Sequence, residues 1–146
     1  SVRAAVPEAT FYIVGSKPTP AIQARHDGEH VIVTGFVDEL APWYASAAIF
    51  VSPMLVAGGL LQKVVDAMGM GVPVVATSAS NHGLSATPGE HLCIADDPGA
   101  FADTVVGLLQ DPQARAELAS AGRCFIQSHY DPDVTITKWE ATLLNL

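Results

Sequence analysis

Lys63 and Asp66 follow directly behind a pair of glycines, in the run Gly58-Gly59-Leu60-Leu61-Gln62-Lys63-Val64-Val65-Asp66. Residues of these types at this spacing can bind a phosphorylated ligand. Adjacent glycines before a helix remove Cβ atoms where a ligand approaches closely. A helix opening here offers N–H groups at Leu60, Leu61 and Gln62 and a partial positive charge, which together suit a phosphate. Lys63 in the first turn adds a full charge for a diphosphate. Asp66 shares a helix face with Gln62 and Lys63 and can accept hydrogen bonds from a pair of ribose hydroxyls. Leu61, Val64, Val65 and Met68 take the opposite, core-facing stripe. The same residues also admit a plainer reading, with Lys63 and Asp66 a surface ion pair and Gly58-Gly59 only a tight turn into the helix. Neither G-x-G-x-x-G nor G-x-x-x-x-G-K-[ST] occurs.

The elements that must position this run alternate along the chain. Phe11 to Val14 predicts a strand ending at Gly15, and Thr19 to Arg25 a short helix with Pro20 in its first turn. Val31 to Val33 predicts a second strand. Glu39 to Ser46 predicts a helix capped by Asp38. Strands follow at Ile49 to Val51 and Pro73 to Ala76, on either side of a helix from about Leu60 to Met70. Thr77 to Gly89 has loop composition, and His91 to Ala95 predicts a fifth strand. Helices over Pro98 to Leu109, Pro112 to His129 and Pro132 to Leu146 complete the chain. Apolar, non-alternating strands separated by helices predict an α/β fold, a Rossmann-like parallel sheet with helices on both faces and a helical C-terminus. Ligands bind such sheets beyond the carboxyl ends of the strands. That rule selects Gly15 to Pro18, including Ser16 and Lys17, then Gly35 to Asp38, Ser52 to Gln62 and Thr77 to Gly89.

Composition narrows the function classes. The 146 residues suit one domain, and 49% apolar against 15% charged residues argues for a buried core. Seven Lys and Arg against a net charge of -8 exclude a nucleic-acid binder, which needs many cations for backbone phosphates. Cys93 and Cys124 form no C-x-x-C pair and read as free thiols. Among the five histidines only His26 and His30 stand four apart, and no H-E-x-x-H occurs, so no metal site and no cofactor are expected. Asp96-Asp97 reads as the cap of the helix at Pro98, and Trp43-Tyr44 and Trp139 as packing residues. Ala41 to Gln62 carries no charge but is broken by prolines and glycines, so it predicts no membrane span. With no signal peptide, the chain reads as cytoplasmic.

Order and spacing add more than any single motif. V-I-V-T-G-F-V-D-E-L-A-P-W-Y-A-S-A-A-I-F-V-S-P, then K-V-V-D-A-M-G-M-G-V-P-V-V-A-T, then P-G-E-H-L-C-I-A-D-D-P-G-A-F-A and L-L-Q-D-P-Q-A-R resemble the C-terminal domain of GT-B glycosyltransferases. Within these, the chain is most similar to retaining transferases of the group 1 type, particularly bacterial sugar transferases of exopolysaccharide systems. The resemblance implies a donor site for a nucleotide-diphosphate sugar. It places Gly15 and Ser16 near the donor, with Lys17 beside them, and Phe36 and Val37 flanking the base. Leu60, Leu61 and Gln62 would face the diphosphate with Lys63, and Asp66 would take the ribose.

The resemblance also implies what is missing. Many relatives carry a glutamate at the position of Gly58 and another at that of Asp66, and a K-x-x-E subgroup often carries an arginine near Gly58. The acceptor half of the family lies in an N-terminal domain, and a basic pair that holds the diphosphate would precede Ser1. The expectation is a single donor-binding domain over residues 1–146, a piece of a two-domain enzyme that does not catalyse transfer by itself. Any peripheral membrane contact would belong to the full-length enzyme. Two alternatives remain open: half of a nucleotide-sugar epimerase, for which His82 and Glu90 are the loop candidates, and a degenerate module that binds a nucleotide or partner without chemistry. Base, sugar and acceptor are not legible.

Overall fold

A computed structural model describes residues 1–130, and these fall into two compact units, Ser1–Ser46 and Ala47 onward. The expected helix Pro132 to Leu146, with Trp139, lies outside the described residues.

The first unit holds α1 (Val2–Ala5), β1 (Phe11–Val14), α2 (Pro20–Gln23), β2 (Val31–Gly35) and α3 (Ala41–Ser46). The strands pair in parallel from Phe11 opposite Val31, and the register slips between Ile13 and Val14, so that Val14 faces Gly35. Thr19 caps α2 by accepting from Ile22 N, with Pro20 in the first turn. The Asp27 carboxylate gathers the N–H groups of Glu29, His30 and Val31 at 2.8–3.0 Å and so turns the chain into β2. These three bonds favour the charged form and hold its pKa down at about 2. Tyr44 is buried and Trp43 sits against Tyr12, ring centroids 5.5 Å apart, so both pack as expected. Asp38 does not cap α3. The carbonyl of Leu40 accepts from Trp43 N and Tyr44 N, which puts Leu40 at the cap position. Pro42 sets that start, because its fixed φ and missing N–H suit a first turn.

The second unit holds β3 (Phe50–Ser52), α4 (Gln62–Gly69), β4 (Val74–Ala76), α5 (Ser78–Asn81), β5 (Cys93–Ile94), α6 (Pro98–Gln110) and α7 (Pro112–Tyr130). Its strands run in parallel in the order β3-β4-β5. Val74, Val75 and Ala76 are each 0% exposed, so both faces of the central strand are covered. That is why the sequence here is a continuous apolar run. Val64, Ala67 and Met68 of α4 join Leu84 and Leu92 in the core. Gly122 lets α7 approach closely: a Cβ there would lie 2.8 Å from the His91 carbonyl and 3.4 Å from Met68 Cε. Asp97 caps α6 through Gly99 N and Ala100 N, as its sequence predicts. Asp96 instead accepts from Ser78 N and Oγ, at 2.8 and 2.7 Å.

β5 is shorter than the expected His91 to Ala95. The His91 ring leaves the sheet to stack on Phe125 of α7, with centroids 4.5 Å apart. The stretch from Thr77, expected as loop, contains α5. Thr77 caps this helix by accepting from Ser80 N, and Asn81 closes the following turn through both Ala86 N and Ala86 O. Small polar residues gave this short helix no periodic signature.

Candidate functional site

The carboxyl ends of β3 and β4 carry the run that the sequence singled out. After Ser52 the chain leaves the sheet at Pro53, crosses Gly58-Gly59 and enters α4. The helix begins at Gln62, later than expected, with Leu61 in an extended conformation at its cap. The carbonyl of Leu61 accepts from Val64 N and Val65 N. Leu60 and Leu61 therefore belong to the approach to the helix, and Gln62 presents the first helical N–H. Gly59, at a φ of 146°, is itself outside helical geometry, and Leu61 is extended at φ −89° and ψ 100°.

The two glycines differ in what they allow. Gly59 needs its missing side chain for its backbone angle. Gly58 has no such angle, and a Cβ there would meet nothing within 4 Å. The space beside Gly58 is thus open to a side chain.

On α4, Val64, Val65, Ala67 and Met68 are buried, while Gln62 and Lys63 are exposed and Asp66 is half-buried. The predicted division of faces is therefore present, save that Leu61 sits before the helix and is half-buried. Gln62 Nε2 donates to Asp66 Oδ1 at 2.7 Å, and Lys63 Nζ lies 3.4 Å from Met54 Sδ. Gln62, four residues before Asp66 on the face the sequence assigned to both, is thus a hydrogen-bond partner of that carboxylate.

In the first unit, Gly15, Ser16 and Lys17 follow β1, and Phe36 and Val37 follow β2. Gly15 N donates to the Gly35 carbonyl at 3.2 Å, so the parallel register brings these two strand ends side by side. Lys17 adopts a φ of 54°, rare outside glycine. Phe36 is 74% exposed. The residues of the second unit, Gly58 to Asp66, lie on the loop after β3 and on α4.

Sequence reasoning passed over a buried hydroxyl group cluster beneath the second-unit loop. Ser52, Thr77 and Ser80 are buried, and Ser80 Oγ lies 3.0 Å from Ser52 Oγ and 3.2 Å from Thr77 Oγ1. Thr77 Oγ1 donates to the Met54 carbonyl. Serine and threonine at strand ends are so common in turns that type alone gave no signal; only the parallel register of β3 and β4 brings them together. Beside them, Pro53, Leu55, Thr77, Asp96, Pro98 and Phe101 line a hollow at the strand ends. His82 and Glu90 are both exposed, and Glu90 lies 3.5 Å from His91 Nε2. Among the described residues, no cluster of three or more His, Cys, Asp or Glu could hold a metal ion, and no helix is long and apolar enough to cross a membrane.

Residues 1–111 match the family model described as glycosyl transferases group 1. The chain belongs to the group 1 glycosyl transferases. A 44.6 kDa protein in the cps region of Klebsiella pneumoniae is 33% identical over 108 residues, covering 73% of this chain and 28% of that protein. A GDP-mannose-dependent monoacylated alpha-(1-6)-phosphatidylinositol monomannoside mannosyltransferase from Corynebacterium glutamicum is 28% identical over 145 residues, covering 91% of this chain and 38% of the enzyme. This group 1 domain therefore spans well under half the length of these curated relatives. HepE from Anabaena, solved in complex with UDP, superposes with a TM-score of 0.84 at 19% identity, covering 96% of this chain and 42% of that one. Sucrose-phosphate synthase from Thermosynechococcus elongatus gives 0.78 at 22% identity, covering 99% and 41%. The α/β architecture of this group 1 domain is thus the GT-B one expected from its sequence.

Proposed function

We propose that this chain is the donor-binding part of a glycosyltransferase that moves a sugar from a nucleotide-diphosphate sugar to an acceptor. The observation that carries the reading is the start of α4 at the carboxyl ends of the parallel strands, with Gln62 and Lys63 in its first turn and Asp66 one turn on. Helix dipole, first-turn N–H groups and the Lys63 charge favour a diphosphate there. As the bond from sugar to diphosphate breaks, negative charge grows on the departing diphosphate, and fixed donors stabilise it most at that moment. Asp66, oriented by Gln62, accepts from the ribose hydroxyls. Gly15, Ser16 and Lys17, with Phe36 and Val37, serve the remainder of the donor.

HepE was solved with UDP and with UDP-glucose, and the Corynebacterium relative is named for GDP-mannose, which supports a nucleotide sugar as donor. The complete enzyme contributes an N-terminal acceptor domain, works in the cytoplasm, uses no further cofactor and retains the anomeric configuration. The chain by itself binds donor without transferring sugar.

Calorimetric titration with UDP and GDP tests the reading. One of them binds, and Asp66→Ala weakens that binding by about 1–3 kcal/mol, the loss of charge-assisted hydrogen bonds. No binding of either nucleotide at millimolar concentration sinks the donor-site reading. Incubation of the full-length enzyme with labelled sugar nucleotides then separates transfer from epimerisation.

A further inference from the structure

Gly83 follows α5, and its own φ lies outside the left-handed region, so it is not there for conformational freedom. It is there for space. A Cβ on Gly83 would fall inside contact distance of Leu60 N and the Gly59 carbonyl carbon, and 2.7 Å from the Gly59 oxygen. All of these are backbone atoms, which cannot turn aside as a side chain can. The peptide that leads into α4 therefore rests directly on the backbone of a loop from the neighbouring strand.

The other end of the same approach is held from the same element. Ser80 is 0% exposed, and its hydroxyl donates to the Ser52 carbonyl at 2.8 Å. Thr77 Oγ1 donates to the Met54 carbonyl at 2.5 Å. Met54 in turn lies under Lys63 Nζ. Both ends of the segment from Met54 to Leu60 are thus fixed by Thr77 to Gly83, across the β3–β4 strand pair. Buried hydroxyls stitched this way hold a single geometry, because each broken bond would leave a buried polar atom unpaired.

We propose that the turn from Thr77 to Gly83 sets the position of the phosphate-facing start of α4, with Gly83 and Thr77 as positioning residues for nucleoside-diphosphate binding. The inference rests on the reading of the α4 start as the diphosphate site. Neither residue touches the ligand. Gly83 admits the Gly59–Leu60 peptide to its place, and Thr77 fixes the far end of the segment. Displacing a backbone donor by about an ångström takes it out of hydrogen-bond reach of a phosphate oxygen.

The test titrates the 146-residue chain with UDP and GDP by calorimetry, and follows the amide resonances of Gly59, Leu60 and Gln62. In Gly83→Ala, affinity for the bound nucleotide falls about tenfold or more, the worth of one hydrogen bond to a charged phosphate, and the ligand-induced shifts of those amides shrink. Gly107→Ala, where an added Cβ meets nothing within 4 Å, leaves both unchanged. Thr77→Val gives the same loss as Gly83→Ala, and Thr77→Ser, which keeps the hydroxyl, restores binding. The Thr77 pair decides the matter if Gly83→Ala does not fold. Failure of the parent chain to bind either nucleotide overturns the donor site itself. A parent that binds, with Thr77→Val and any folded Gly83→Ala binding equally well, overturns only the positioning role.

Discussion

Gln62 and Asp66 stand one helical turn apart on α4, joined by a 2.7 Å hydrogen bond from the amide to one carboxylate oxygen. The donor is neutral, so the bond orients Asp66 without cancelling its charge. A carboxylate used to accept hydroxyls needs that combination. Gln62→Leu is expected to keep the helix and to lose only roughly 0.2–0.5 kcal/mol of stability, the worth of such a pair. Urea unfolding measures that loss. Nucleotide affinity should fall as well, and an unchanged affinity would show that Asp66 needs no orientation.

Gly58 is open space with an ordinary backbone angle. Gly58→Arg is therefore expected to fold with stability within about 0.5 kcal/mol of the parent, as a surface substitution does. It should also bind UDP or GDP more tightly, because a guanidinium beside a diphosphate forms paired charge-assisted bonds. Calorimetry and thermal melts check the two parts separately. Gly59→Ala should instead destabilise, because its φ of 146° excludes a side chain without strain.

Gly122 has the opposite situation to Gly58. Its added Cβ would press on the His91 carbonyl at 2.8 Å, between α7 and the sheet. Gly122→Ala should cost about 1–3 kcal/mol through overpacking. A melting temperature equal to the parent's would mean that α7 can move away freely.

Asp27 predicts an acid limb of stability. Its pKa is held at about 2, against 3.8 ordinarily, first by the Val31 N–H and then by those of Glu29 and His30. A folded-state pKa below the unfolded one means the bonds contribute fully above the unfolded value. Their contribution is lost as pH falls from 3.8 through about 2. Carboxyl titration by NMR should place Asp27 near the lower value. Unfolding of Asp27→Asn followed against pH should lack this group's share of the acid-linked loss.

Much of this protein was legible from local physics. Phe11 to Val14 and Val74 to Ala76 are short apolar runs rich in strand formers, and both are strands, the second fully buried and the first exposed at Phe11 and Tyr12. Pro98 behind Asp97 announced its helix because a cap and a fixed φ act within a few residues. The apolar stripe of α4 was equally plain, since one helix face repeats regularly in sequence. Asp38 shows the limit: it had a capping side chain in a plausible place, but Pro42 set the helix start.

The sequence by itself determined the family, the α/β class and the Lys63 to Thr77 run, which local propensity and residue order carry. The tertiary structure decided how that run is held. It moved the start of α4 from Leu60 to Gln62 and separated a glycine needed for angle from one that faces open space. It also put Ser52, Thr77 and Ser80 in one buried cluster and set Gly83 against the Gly59–Leu60 peptide. The reason is register. Residues more than twenty positions apart become neighbours only when β3 and β4 align, and no periodicity along the chain records that alignment.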